Sequence, residues 1–122
     1  MGSMKTARPF ILAFIMGITL LTLQAIAETQ ADTARYGSYP ANYKEIVMQW
    51  LSKQLIDPDS AHIEWNGEPK PADQGENGEH LYGYLVNFTV NARNRFGGYT
   101  GNQKHAVLIR NGEVIKGMGF GY

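Results

Sequence analysis

The chain contains no cysteine among its 122 residues. It therefore forms no disulfide, cannot be anchored through a lipidated cysteine, and offers no thiolate for catalysis or metal binding. The chain also has no excess of positive or negative charge, because 11 basic and 11 acidic residues give a formal net charge of zero. The composition thus lacks the strong positive charge that is typical of nucleic-acid-binding domains, and we expect no nucleic-acid partner.

Long apolar runs are missing except for one, at residues 10–23. Lys5 and Arg8 precede this run and an Ala-Ile-Ala sequence ending at Ala27 follows it, which is the order of a secretory signal peptide. We expect cleavage after Ala27, so that residues 1–27 are a signal peptide and the protein is periplasmic or secreted, with no stable membrane span. The alternative is an uncleaved anchor, although a bilayer span needs about 20 apolar residues.

The rest of the chain predicts one small domain, since it is too short for two cores. Residues 28–41 are small and polar without apolar periodicity, which predicts a flexible lead segment from which Tyr36 and Tyr39 can dock. Residues 42–122 are expected to form a single α+β domain.

An amphipathic helix is expected to begin this domain. Asn42 and Glu45 have the spacing of a capping box, and Asp57-Pro58 ends the helical pattern. Trp50 lies in the middle of the apolar stripe, so we expect it in the core. The stripe consists of Tyr43, Ile46, Val47, Trp50, Leu51 and Leu55.

Four antiparallel strands are expected to follow the helix. Alternating apolar residues predict a short strand at residues 61–65 and a long one at 81–92. Residues 68–79 are almost all polar, proline or glycine, which predicts a mobile surface loop. The predicted fold class is α+β, with one N-terminal helix packed on a four-stranded antiparallel sheet as a two-layer sandwich.

The last two strands are expected to form a tight hairpin. Asn111-Gly112 suits a type I′ turn, which requires two positive φ values. The turn would place Arg110 opposite Glu113 and, further along the hairpin, Leu108 opposite Ile115.

Charges are segregated along the chain. The charged residues within 57–79 are mostly acidic, whereas those from Ala92 onward are mostly basic. Two interpretations remain open: the acidic segment folds over the basic hairpins and neutralises them, or the surface is dipolar and steers an anionic partner.

The candidates for acid–base or metal chemistry are His62, Glu64, His80 and His105. His62 and Glu64 share one face of a predicted strand, and His80 precedes the neighbouring one. A zinc site needs three or four converging ligands, and no H-E-x-x-H sequence or close histidine pair is present. We expect no metal and no cofactor, and a small periplasmic hydrolase or metal-dependent enzyme built on His62, Glu64 and His80 is the alternative function.

The glycine-rich segment at residues 90–101, V-N-A-R-N-R-F-G-G-Y-T-G, suggests a binding surface. Its glycines permit positive φ and leave backbone amides open, while its arginines and aromatics are residue types enriched at interfaces. A second interpretation is that the glycines shape a wide turn and the aromatics pack at the core edge. The candidate binding residues are Arg93, Arg95, Phe96, Gly97, Gly98 and Tyr99, with Phe120 and Tyr122 nearby in the sheet order.

Two segments carry a resemblance. The D-P-D-S-A sequence at residues 57–61 and the V-N-x-x-N-x-x-G-G-Y-x-G pattern at 90–101 resemble small uncharacterised exported bacterial proteins. The resemblance implies a location in the bacterial envelope and no established activity. Many such proteins carry a cysteine at the signal cleavage site or before the second motif, which this chain lacks. We expect a non-enzymatic binding, accessory or inhibitor-like module that contacts an envelope protein or an anionic envelope polymer.

Overall fold

The computed structural model describes residues 32–119. The chain divides into two compact units, Met1–Thr33 and Ala34–Tyr122. The second unit is α+β and contains one main helix and a five-stranded antiparallel sheet. The predicted signal peptide lies outside the described residues.

The main helix, α1, spans Tyr43–Gln54 and confirms the predicted position. Val47 and Leu51 are buried on its inner face, whereas Trp50 is only partly buried at the edge of the core. Trp50 therefore packs against the core but is less buried than expected. The capping box was also wrong, because Asn42 has φ −95° and ψ 32° and its side chain makes no cap hydrogen bond.

Five strands form the sheet, and a 3-10 turn at Pro58–Ser60 leads into the first of them. The strands β1 and β2 both pair with β3, β1 alongside residues 88–91 and β2 alongside residues 82–85. β4 and β5 follow in order on the other side of β3. The bounds are β1 His62–Trp65, β2 Lys70–Asp73, β3 Tyr82–Asn91, β4 Gln103–Arg110 and β5 Glu113–Met118.

The second strand, β2, corrects the prediction of a loop at residues 68–79 and of only four strands. Its sequence Lys-Pro-Ala-Asp lacks apolar alternation, so the local pattern does not indicate a strand. The strand forms because Asp73 closes a hairpin onto β3: its Oδ1 accepts hydrogen bonds from the amides of Gly75 at 3.0 Å and Leu81 at 2.9 Å. Pro71 is tolerated since β2 is an edge strand.

The hairpin of β4 and β5 has the predicted turn, with φ +49° at Asn111 and +80° at Gly112. Arg110 pairs with Glu113 as expected, but the register then shifts and Leu108 pairs with Lys116 rather than with Ile115. Without the shift Lys116 would lie opposite Val107, on the face that packs against the helix. The irregularity therefore keeps the Lys116 ammonium out of the core.

The core lies between α1 and one face of the sheet. The alternating residues Val86, Phe88 and Val90 of β3 supply its centre and are fully buried.

Part of the predicted lead segment packs on the domain. Within the second unit, Tyr36 and Tyr39 make edge-to-face contacts with Tyr84. No helix among residues 32–119 is long and apolar enough to cross a membrane.

Candidate binding surface at the corner between β3 and β4

The connection between β3 and β4 is a structured turn rather than an open loop. Asn94 Oδ1 accepts hydrogen bonds from the amides of Phe96 at 2.9 Å and Gly98 at 3.3 Å. The Asn94 amide donates to the carbonyl of Gly98 at 2.9 Å, and Gly97 has φ +81°, a value that glycine adopts without strain. The hydrogen bonds of Asn94 and the positive φ of Gly97 together define the backbone conformation of this turn.

A second asparagine fixes the return of the chain. Asn91 Oδ1 accepts from the amide of Gly101 at 3.1 Å, and Gly101 has φ +85°. The Thr100 amide donates to the carbonyl of Ala92 at 3.1 Å. We call residues 92–101 the corner. This polar segment has a defined conformation because the side-chain oxygens of Asn91 and Asn94 accept hydrogen bonds from backbone amides that are not paired between neighbouring strands.

The turn at residues 57–61 is joined to the corner through Ser60, which is buried. The Ser60 hydroxyl donates to the carbonyl of Asp57 at 2.7 Å and accepts from the amide of Arg93 at 2.8 Å. The Arg93 guanidinium lies 3.4 Å from the Asp57 carboxylate, and the Tyr99 hydroxyl donates to the Ser60 carbonyl at 3.2 Å. The turn at residues 57–61 and the corner therefore form one structural unit.

The aromatic side chains of the corner are exposed, which differs from the interpretation that buries them at the core edge. Phe96 is 87% exposed and Tyr99 is 48% exposed. Arg95 lies over the Phe96 ring at 5.8 Å and Arg93 over the Tyr99 ring at 5.9 Å. Tyr99 also stacks on His62 with ring centroids 5.5 Å apart. The glycines do shape the turn, and the turn presents a phenylalanine to solvent.

An open cleft of about 590 Å³ lies behind the corner. Its described lining combines apolar residues such as Leu55, Ile56, Ala92 and Phe96 with polar ones such as Arg93, Arg95, Gln103 and His105. Among the described lining residues there is no carboxylate. The cleft brings together the end of α1, the end of β3 and the start of β4, which are far apart in sequence.

His105 lies at the base of this cleft and is 5% exposed. Burial lowers the pKa of His105, and hydrogen bonds to the carbonyls of Gly119 and Met118 offset part of that decrease. Burial of His105 thus favours the uncharged form of its imidazole. The charge of the cleft comes from its arginines.

Arg93 and Arg95 differ in how their charges are balanced. Arg93 is paired with Asp57, whereas Arg95 makes no ion pair within residues 32–119. Of the predicted site residues, the structure brings Arg93, Arg95, Phe96 and Tyr99 together at one corner. Phe120 and Tyr122 lie outside the described residues.

The residues of the alternative site are not brought together. His62 on β1 pairs with Asn91 at one end of β3, whereas His80 precedes Tyr82 at the other end, which is roughly 30 Å away at 3.3 Å per residue. Within the described part of the chain, no group of three or more histidine, aspartate or glutamate residues is placed to hold a metal ion.

His80 instead belongs to the hairpin of β2 and β3. Its Nδ1 lies 2.6 Å from Asp73 Oδ2, and its ring stacks on Tyr82 with an interplanar angle of 9°. The hydrogen bond from His80, followed by those from the Leu81 and Gly75 amides, lowers the pKa of Asp73 to about 2. This pair closes a hairpin.

Within residues 32–119, the segregated charges make few direct contacts. Lys116 Nζ lies 3.4 Å from Glu76, and it donates to the Gln74 carbonyl at 2.9 Å. Together with the pair of Arg93 and Asp57, this contact supports partial neutralisation of the basic half by the acidic half. Among the described residues, the segment 68–79 contacts Lys116 of β5, and the Asp57 carboxylate pairs with Arg93 of the corner.

Comparison with known proteins gives no relative: no protein-family model, no curated protein and no solved structure matches this chain.

Sequence reasoning missed the cleft and the residues that support the corner. Backbone amides of the corner donate hydrogen bonds to the side chains of Asn91, Asn94 and Ser60. A signal for Asn94 was present, since an asparagine two to four residues before a glycine often accepts from the backbone of its own turn. That signal does not reach Asn91, whose donor Gly101 is ten residues away. No local signal connects Ser60 to Arg93.

Proposed function

We propose that this protein is an exported, non-enzymatic binding module whose corner contacts a protein of the bacterial envelope. The observation that carries the proposal is that Phe96, at the edge of the cleft, is 87% exposed on a turn whose backbone is held by Asn94. An exposed aromatic side chain on a defined turn is a common binding element, because little conformational entropy is lost when it is buried against a partner.

The position of Arg95 supports the same function. Its guanidinium lies over the Phe96 ring and forms no ion pair among the described residues. Arginine next to an aromatic ring is a frequent pair at protein interfaces, since it offers planar donors and stacks at the same time. An anionic envelope polymer could use the arginine, but it would leave the phenylalanine ring in water.

Export is the second part of the proposal and rests on the order of charged, apolar and small residues before Glu28. Mass spectrometry of the protein purified from the cells that produce it naturally should find a mature N-terminus at Glu28. An intact N-terminus in the membrane fraction would contradict this part and leave the binding function open.

The binding function is tested by capturing partners from envelope extract with the immobilised domain. Phe96→Ser should remove the captured proteins while the unfolding temperature stays unchanged, because an exposed side chain contributes little to stability. Met48→Ser is the matched control, since Met48 is 56% exposed on α1 and is not among the cleft residues. Equal capture by both folded variants would rule out the corner as the binding surface.

A further inference from the structure

The cleft behind the corner combines apolar and cationic side chains. Its apolar base is formed by Leu55 and Ala92, which are almost fully buried, and its edge carries the exposed Ile56 and Phe96. A volume of about 590 Å³ lies within the range that accepts a few side chains of a bound ligand.

Charge complementarity selects the ligand. The described lining contains no carboxylate, and Arg95 has no ion pair within residues 32–119, whereas Arg93 is balanced by Asp57. A ligand with a carboxylate next to an apolar group would pair with the Arg95 guanidinium and fill the base of the cleft. A cationic ligand would leave Arg95 unpaired against a like charge.

The edge of the cleft favours a peptide over a small molecule. Ile56 is 57% exposed and Phe96 is 87% exposed, so both remain largely in water when only the base is filled. A peptide that enters the cleft and continues over its edge covers both side chains, and the burial of their apolar surface favours binding.

We propose that the cleft binds a peptide segment in which acidic residues flank apolar or aromatic ones, with a carboxylate on Arg95 and an apolar side chain against Leu55 and Ala92. This inference rests on the proposed binding function and specifies the chemistry of the partner. The partner is thus a protein with an exposed acidic and apolar segment.

The test uses the full mature chain, labelled with ¹⁵N, and pools of hexapeptides. One pool carries Asp or Glu at the second and fifth positions and Leu, Phe or Trp at the third and fourth. The second pool has Lys or Arg in place of the acids, and the third has Gly or Ser in place of the apolar residues. The first pool alone should shift the amide resonances of Ala92, Phe96 and Gln103, and added salt should weaken the effect.

Variants connect the binding to the named side chains. Arg95→Gln keeps the length of the side chain and removes its charge, and it should weaken binding of the first pool about tenfold, since charge-assisted hydrogen bonds contribute roughly that much. Ile56→Ser should weaken it severalfold. Lys53→Gln is the control, because Lys53 is exposed on α1 and is not among the cleft residues, and it should change the affinity less than about twofold.

Several results would overturn the inference. These are equal binding of the basic pool, shifts confined to another surface, no shift with any pool, or a concentration-dependent dimer whose interface is the cleft. Binding seen only with a chain that ends at Gly119 would assign the cleft to the protein's own last residues. If the peptides fail while Phe96→Ser still abolishes capture from envelope extract, the binding function stands and the peptide class is wrong.

Discussion

Ser60→Ala removes the hydroxyl that joins the turn at residues 57–61 to the corner. That hydroxyl donates to the Asp57 carbonyl at 2.7 Å and accepts from the Arg93 amide at 2.8 Å, and the residue is 5% exposed. Alanine fills nearly the same volume, so the cavity contribution is small. The main cost is the loss of the partly buried hydrogen bond from the Arg93 amide.

The magnitude follows from that hydrogen bond. Removing a typical intramolecular hydrogen bond costs about 0.5 to 1.5 kcal/mol. For a domain of this size each kcal/mol lowers the Tm by about 4 to 8 °C. Urea and thermal unfolding, followed by tryptophan fluorescence, should therefore show a clear loss for Ser60→Ala with an unchanged dependence on urea concentration.

Ser52→Ala is the matched control. Its hydroxyl also donates to a carbonyl three residues earlier, that of Gln49 at 2.6 Å, but on the exposed face of α1. Its stability should change by no more than about 0.5 kcal/mol. A loss below about 0.5 kcal/mol for Ser60→Ala, equal to the control, would refute the role of this hydroxyl in holding the corner.

Three further perturbations test the fold. Leu51→Ala should lower the free energy of unfolding by about 2 to 5 kcal/mol, because this side chain is buried in the core; denaturant titration measures it, and a loss under about 1 kcal/mol would place α1 outside the core. Gly83→Ala should destabilise by about 1 to 3 kcal/mol, since a Cβ there would approach the Ile109 carbonyl oxygen to 2.7 Å; a melting temperature equal to that of the unmodified chain would contradict this close packing. The hydrogen bond with His80 is the main cause that lowers the pKa of Asp73 to about 2 in the folded protein. The contribution of Asp73 to stability is therefore complete above about pH 4 and is lost as the pH falls towards 2. Asp73→Asn should flatten the dependence of stability on pH across that window, and an unchanged dependence would mean that the pair of Asp73 and His80 contributes nothing.

Local sequence patterns determined much of this protein. The helix is predicted because apolar residues recur at helical spacing up to Asp57-Pro58, and β3 because apolar residues alternate along it. The hairpin turn at Asn111 is predicted because few residues other than asparagine and glycine adopt its positive φ values. Each of these features depends on residues that are neighbours in the chain.

Two predictions, the loop at residues 68–79 and the register of the last hairpin, were wrong because the structure of these residues depends on the strand or face that they pack against. The segment Lys70–Asp73 has the composition of a loop, yet it pairs with the edge of β3 because the Asp73 carboxylate closes the hairpin. The register shift at Ile109 depends on which face of the sheet the helix covers, since that face excludes the Lys116 ammonium. Composition and turn type carry no information about that choice.

Only the tertiary structure decided how the candidate site is built. The sequence indicated the corner residues and left open whether their aromatic side chains are buried or exposed. The tertiary structure exposes Phe96, since Asn94 turns the backbone away from the core, and it forms the cleft by bringing Ile56 at the end of α1 close to Gln103 on β4. Such a cleft depends on contacts between residues distant in sequence, and the periodicity of a single segment cannot encode them.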